Sequence, residues 1–445
     1  MSFNNLKTQL NKFDKELGDL INEEFNRQKD SLELIASENI TSKPVLECLG
    51  SVLTNKYSEG YPNKRYYGGN EVIDKIELLC INRALDAFNL KKEFWAVNVQ
   101  PYSGSPANFA VYTAILKPND RIMGLGLPSG GHLTHGFYTK EKNISATSKY
   151  FQSLSYEIDD NGYIDYDKLE NLAIKFCPKL IIAGYSAYSR DLDYKRFREI
   201  ADLNNSYLIC DMAHFNGFVL TGLLNNPFEY CDIVTTTTHK TLGGPRAGMI
   251  FCKKEFEKRI NDAVFPGLQG GPHEHQIAAL ATQLKYVKSS EYKEYMIQVL
   301  KNSQMLAKHL IKFNFEILTG GTDNHIILIN LKNKGLSGNK IEKICELINI
   351  SINKNSVKGD KSALNPSGIR IGTPSITTRG MKENDMLIIA TFLNKTVEMG
   401  ITIQKISGTK MTDFIKELNN NQEIINDIKL LKKNVKLFVN TFDFY

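Results

Sequence analysis

The chain has a single tryptophan, only 13 prolines in 445 residues, and seven cysteines of which no two form a Cys-x-x-Cys pair. The odd count and the scatter over Cys48, Cys80, Cys177, Cys210, Cys231, Cys252 and Cys345 read as free thiols in a reducing compartment rather than a disulfide framework. No apolar run approaches the roughly 18 residues of a membrane span, so no membrane partner is expected. Basic residues interleaved with aromatics are also missing. The net charge of +6 is small for this length, and nucleic acid is not expected as a partner either. The opening MSFNNLKTQLNKFDKELGDL holds no arginine and carries Asp14, Glu16 and Asp19, unlike a transit or signal peptide. The expected location is the cytoplasm.

What is present is the composition of an ordinary globular protein, 42% hydrophobic and 23% charged, with length for two or three domains. Residues 1–50 read as an N-terminal arm and helix. From 51 to 290 apolar strands (Lys179–Ala183, Tyr207–Cys210, Ile233–Thr238, Met249–Cys252) alternate with helical stretches such as Ala107–Leu116. That alternation predicts an α/β unit with a mostly parallel sheet. Ile277, Leu280, Leu284 and Val287 share a helix face leading out of it. Residues 291–445 read as a smaller α+β unit: a strand at Ile326–Leu331, helices marked by Ile341, Ile344, Cys345 and Ile348 and by Ile424, Ile428, Leu431, Val435 and Phe438, and a loop at Asn419–Asn421.

The chemistry concentrates at strand ends. Asp211 directly follows the Tyr207–Cys210 run, and Lys240 follows Ile233–Thr238 in the stretch Thr235-Thr-Thr-Thr-His-Lys-Thr-Leu-Gly-Gly-Pro-Arg-Ala-Gly248. Ligands of open α/β sheets sit at the carboxyl ends of strands. A carboxylate there can pair with a protonated pyridine nitrogen, and an amine can bind the aldehyde of the same cofactor, which is what pyridoxal phosphate requires. Taken singly, Asp211 reads more readily as a helix N-cap and Lys240 as a surface lysine; it is the pair at successive strand ends that brings the cofactor reading level with that one. Ser103-Gly-Ser105 before a helix, and Gly267-Leu-Gln-Gly-Gly271, are turns whose N–H groups could hold a phosphate. His132, after two glycines, could lie against a planar ring. His214 and His239 fall near the same edge. The tyrosine- and glycine-rich Tyr57–Gly69 loop fits ligand contacts, a subunit contact, or both. Arg370, beside a short strand, could grip a carboxylate or make a structural salt bridge. No metal site is expected.

These residues resemble the serine hydroxymethyltransferase family. The likeness runs through Leu34-Ile-Ala-Ser-Glu-Asn39, Asn55–Pro62, Lys64–Gly69, Asn98-Val-Gln-Pro101, Gly130-Gly-His-Leu-Thr-His-Gly136, Asp211-Met-Ala-His214, Thr235–Gly248, Ala263–Gly267, Gly320-Gly-Thr-Asp-Asn-His325 and Asn353-Lys-Asn355. Gly126–His132 and Gly359-Asp-Lys-Ser-Ala-Leu364 are closest to its eukaryotic branch. The resemblance implies a fold type I enzyme that uses pyridoxal 5′-phosphate and interconverts L-serine and glycine with tetrahydrofolate as co-substrate. It also implies a homo-oligomer, dimer or tetramer, with shared active sites. Under it Lys240 matches the covalent anchor of the cofactor, Asp211 the partner of the ring nitrogen and His132 the stacked imidazole. Ser186 and His214 match groups near the cofactor hydroxyl, and Thr237 a further cofactor contact. Ser103, Gly104, Ser105 and His239 resemble phosphate contacts from the same subunit, Tyr57 and Gly271 contacts from its neighbour. Arg370 and Ser37 match substrate contacts, Glu59 the acid/base carboxylate with Tyr67 beside it. Leu127, Gly131, Leu133 and Asn355 match folate contacts. Phe215-Asn216 and Leu242-Gly243 depart from the family pattern. Another enzyme of the same fold, or a non-catalytic scaffold, would be the competing readings.

Overall fold

A computed structural model describes residues 4–360 and 364–445; Lys361, Ser362 and Ala363 of the Gly359–Leu364 motif lie outside the described residues. The centre is a seven-stranded mixed sheet. Its strands are β1 (Trp95–Asn98), β2 (Arg121–Leu125), β3 (Gln152–Tyr156), β4 (Leu180–Gly184), β5 (Tyr207–Asp211), β6 (Ile233–Thr237) and β7 (Gly248–Lys253). Their order is β1-β7-β6-β5-β4-β2-β3. β7 runs antiparallel to both neighbours, and every other pairing is parallel.

The middle strands are apolar at nearly every position because both faces of the sheet are covered. Successive residues enter different cores, as the two-residue period of a strand dictates. Ile181, Ala183, Leu208, Cys210 and Val234 join one cluster, and Leu180, Ile182, Ile209 and Ile233 the other. The expected strands appear with ends moved by about one residue, and Asp211 is the last residue of β5 rather than the first beyond it. The helix expected at Ala107–Leu116 begins earlier, at Gly104, and ends at Ile115.

A third core forms around a four-stranded antiparallel sheet, in the order Glu316–Ile317, Ile326–Asn330, Gly368–Gly372, Asn353–Asn355. Leu32 and Leu34 belong to this core, and Leu32–Glu33 pairs in parallel with Ile350–Ser351, so the stretch after the N-terminal helix is tied to the C-terminal part of the chain. That helix, Lys15–Lys29, is capped by Asp14, whose carboxylate accepts from Leu17 N–H.

Two expectations are corrected. Glu383–Ser407 is 25 residues long, with a mean hydropathy of 1.4 over its most apolar window, and is long and apolar enough to cross a membrane by length and composition. Scattered threonines hide this in the sequence. Here Met386, Ile389, Leu393, Val397 and Ile403 of this helix pack into the third core. The loop expected at Asn419–Asn421 shrinks to one residue. Met411–Asn420 is helical, and Asn421 caps the next helix, Gln422–Val439, by accepting from Glu423 and Ile424 N–H.

Candidate active site

Asp211 and Thr235 are register partners on adjacent parallel strands, so Asp211 and Lys240 emerge at the same edge of the sheet. Asp211 is 6% exposed. Its Oδ2 accepts from Asn108 Nδ2 at 2.8 Å and from His135 Nε2 at 3.0 Å, and its Oδ1 accepts from Ala213 N–H at 3.1 Å. Burial alone would raise this carboxyl, but the bond from His135, electrostatic interaction with the two imidazoles and the bond from Asn108 outweigh burial and hold it well below the carboxylate range. It is an anion at any physiological pH.

Thr238 to Gly244 fold back on themselves: Gly243 N–H donates to Lys240 O and Gly244 N–H to Thr238 O. Asn39 Nδ2 donates to the Lys240 carbonyl from outside at 3.0 Å. The turn is thus fixed, and the side chain makes one hydrogen bond, its Nζ donating to Thr237 Oγ1 at 3.2 Å. Burial, with Arg370 and Arg246 adding, lowers the amine to about 8, and Asp211 opposes the shift. About a tenth of Lys240 is therefore an uncharged nucleophile at pH 7, far more than for a lysine in water.

His132 caps the short turn Leu133–His135. Its Nδ1 accepts from Thr134 N–H at 3.2 Å, which puts the ring proton on Nε2, and burial pushes it down to about 4. The preceding Gly131 has no room for a side chain, since a Cβ would meet Leu125 O at 1.8 Å. His132, His135 and Asp211 bring ligand-capable atoms within 4.8 Å of one another, a set that could hold a metal ion. Here, however, the carboxylate is already taken up by its three donors.

The cradle beside them fits a phosphate. Gly104 starts the helix Gly104–Ile115, Ser103 at its N-cap spends no hydroxyl on capping, and a Cβ on Gly104 would meet Thr237 Cγ2 at 2.7 Å. Ser105 is exposed in the first turn, and His239, held neutral by burial, has an unpartnered Nδ1. A helix N-terminus with free hydroxyls and a closely approached backbone is an anion site. His214 is 2% exposed with its Nδ1 unpartnered, and its ring stacks on His325 at 5.7 Å.

On the far side Arg370 reaches in from the strand Gly368–Gly372. Its Nε donates to Asn353 Oδ1 at 3.0 Å, one terminal nitrogen to Ser186 O at 2.7 Å, and the other lies 3.5 Å from Ser37 Oγ. Burial lowers it only to about 10, so it stays charged. Ser186 enters through its backbone, its N–H donating to Gly130 O at 2.7 Å. The arginine and the Leu127–Leu133 segment are thereby coupled. Asn355 ends the strand that carries Asn353, and its neighbour Ser356 lines a small cavity with Pro128, Ser129 and Ala187.

Tyr57, Glu59, Tyr67 and Gly271 gather elsewhere. Tyr57 and Tyr67 make an edge contact at 5.4 Å, a Cβ on Gly270 would lie 3.2 Å from Glu59 Oε1, and one on Gly271 would lie 3.3 Å from the Tyr57 ring. Among the described residues, no hydrogen bond or ring contact joins this group to Lys240, Asp211 or Arg370. Sequence reasoning assigned no role to Asn108, His135, Asn353 or Arg246. His135 stood inside a quoted motif and Asn108 one helical turn beyond Gly104, but neither position announces a bond to Asp211.

A lysine and an ionised aspartate at one sheet edge, a helix-start phosphate cradle and a neutral imidazole beside them define a pyridoxal-phosphate enzyme of the α/β type. Comparison with known proteins narrows the class. The serine hydroxymethyltransferase family profile matches residues 10–393. Serine hydroxymethyltransferase of Bombyx mori is 56% identical over 99% of this chain and 98% of its own length. The cytosolic form of Oryctolagus cuniculus is 52% identical over 96% of this chain and 92% of its own. Serine hydroxymethyltransferase 3, chloroplastic, of Arabidopsis thaliana is 53% identical over 97% and 84%. The chain belongs to the serine hydroxymethyltransferase family, whose members are fold type I enzymes that depend on pyridoxal phosphate.

Proposed function

We propose that this protein reversibly transfers the hydroxymethyl carbon of L-serine to tetrahydrofolate, giving glycine and 5,10-methylenetetrahydrofolate. The observation that carries the reading is the facing of Asp211 and Lys240 by a partly buried, charged Arg370 with Ser37 at its tip. Pyridoxal phosphate held there supplies an electron sink for the pair released when the serine Cα–Cβ bond breaks. Lys240 is its covalent anchor, and the cradle of Ser103, Gly104, Ser105, Thr237 and His239 holds the phosphate. Asp211, ionised and buried, keeps a proton on the ring nitrogen. His132 and His214, both neutral, border the ring without adding charge. Arg370 fixes the substrate carboxylate in a two-point grip and so sets the orientation of the Cα substituents.

Glu59 moves the proton at the serine hydroxyl, with Tyr67 beside it. Leu127, Gly131, Leu133 and Asn355 seat the folate. The detached group of Tyr57, Glu59, Tyr67 and Gly271 supports a homodimer, or a tetramer of dimers, in which this group completes the site of a second copy. Exposed apolar side chains, Leu17 and Ile21 on the helix Lys15–Lys29 and Leu10 and Phe13 on the short helix before it, are consistent with such an assembly. The division into residues 1–50, 51–290 and 291–445 is proposed on the separation of the third core, with residues 32–34 crossing to it. Seven free cysteines support a reducing, cytoplasmic location.

The test is serine cleavage with and without tetrahydrofolate. Turnover should depend strongly on folate, and folate-independent transamination as the main activity would refute the reading.

A further inference from the structure

Behind the loop that carries Glu59 lies a carboxyl that the proposed reaction leaves unused. Glu274 opens the helix Glu274–Tyr286 and is 1% exposed. Its Oε1 accepts from Ser58 Oγ at 2.6 Å, while its Oε2 is buried with no partner. The groups that face it come from two other elements: Arg65 from the loop, and Asp74, Glu77 and Cys80 from the helix Glu71–Ala87. Arg65 Nε donates to Asp74 at 2.8 Å and a terminal nitrogen to Glu77 at 2.6 Å. One guanidinium therefore faces three carboxyls. With all three ionised the cluster would hold an excess of two negative charges out of water, and a single bound proton halves that excess. The Cys80 thiol, pushed well up by burial, adds no charge.

The same cluster grips the backbone on both sides of Glu59. Ser58 is held through its hydroxyl by Glu274 and through its carbonyl by Arg65 at 2.8 Å. Gly60 O accepts from Arg65 and from Gln100 Nε2, each at 3.0 Å. Glu59 stands between these clamps, its carboxylate turned to Gly270, four residues before Glu274.

We propose that Glu274 is a positioning residue for Glu59, and that the proton on its buried carboxyl determines how Ser58, and with it the Glu59 carboxylate, is seated. The neutral acid keeps the clamp closed. Ionisation strengthens the bond that Glu274 accepts from Ser58 but adds uncompensated charge beside Glu77, and the Ser58–Gly60 segment is reseated. This rests on reading Glu59 as the acid/base group.

Burial, with Glu77 adding, raises Glu274 to about 7, so the folded protein holds a proton that the unfolded chain releases near 4.5. Relative to a neutral isostere, the wild type must then lose stability as pH rises from about 4.5 to 7 and lose no more above it. The experiment uses the holoenzyme and E274Q, which mimics the neutral acid. The melting temperature of E274Q should draw ahead of wild type between pH 5 and 7 and keep a constant lead above. Wild-type kcat should carry a limb falling through pH 7 with serine KM unchanged, and E274Q should lack that limb. S58A, which removes the bond itself, should lower kcat several-fold below pH 7, where the wild-type clamp is closed, and by less above it, with serine KM unchanged. A melting gap that does not grow with pH, or a growing gap with the kcat limb intact in E274Q, overturns the proposal. The reading of Glu59 fails separately, if E59Q turns over serine normally.

Discussion

The two halves of the proposed site are built in opposite ways. The Asp211 carboxylate is fully engaged: Asn108, His135 and Ala213 converge on it, Asn108 Oδ1 is itself engaged by Thr235 Oγ1 at 2.6 Å, and Asn39 fixes the lysine turn. Around Glu59 the clamps fall on Ser58 and on the Gly60 carbonyl, and the side chains that would meet a substrate are open, Tyr57 at 57% exposed and Tyr67 at 50%. The floor that holds charge in place is finished within one chain. The acid/base wall is rigid at its base and unfinished at its face, as expected of a surface that completes itself against a second copy.

Breaking each half separately gives the largest effects. Lys240→Ala should remove turnover to below detection together with the visible absorbance of the bound cofactor; an unchanged spectrum would sink the anchor assignment. Glu59→Gln should still bind serine but lose turnover by about 10²–10⁴-fold, the usual worth of a positioned acid/base group. Mixing the two inactive variants then tests the comparison itself. If the halves come from different subunits, about half of the refolded dimers are hybrids, each with one intact site, and about a quarter of wild-type activity should return. Recovery near zero would put both halves in one chain.

Next in size is Arg370→Lys. A lysine cannot keep the three directed contacts to Asn353, Ser186 and Ser37 while also forking a carboxylate. Losing charged hydrogen bonds costs about 1.5–3 kcal/mol, so serine KM should rise by roughly 10–150-fold. Because Ser186 ties the arginine to Gly130, folate affinity should fall as well, by less. A change confined to serine would mean the Ser186 link transmits nothing.

How far the sequence discloses this arrangement depends on the range of the contact involved. Strand ends are local, which is why Tyr207–Asp211 and Ile233–Thr237 are readable from apolar runs and turn residues and place Asp211 and Lys240 together. The insertion of β7 antiparallel between β1 and β6 has no local signal, because the Met249–Cys252 run reads the same in either direction. Asn108 and His135 reach Asp211 across 103 and 76 residues, and Asn353 meets Arg370 through sheet register; such partners are set by packing alone. The Asn419–Asn421 tract misleads because asparagine favours turns, yet Asn421 serves here as a cap between two helices. The helix within Glu383–Ser407 is the reverse case, membrane-like by hydropathy but apolar because one side of it packs into the third core.

The smallest effect sharpens the contrast between a buried, tuned floor and an ordinary lysine. Only the uncharged amine attacks an aldehyde, so the rate at which apo-protein captures pyridoxal phosphate covalently should rise about tenfold per pH unit and level off above the lysine's own pKa. Burial places that break near pH 8 rather than 10.5. Asp211 favours the charged amine and pulls the other way, so Asp211→Asn should move the break lower still, while also costing the ring-nitrogen proton in the holoenzyme. Stopped-flow absorbance of both apo-proteins from about pH 6 to 11 reads the two breaks directly. A wild-type break near 10.5 would mean that Lys240 lies in water and not in the desolvated floor, and an unmoved break in Asp211→Asn would mean that the two residues do not share one electrostatic site.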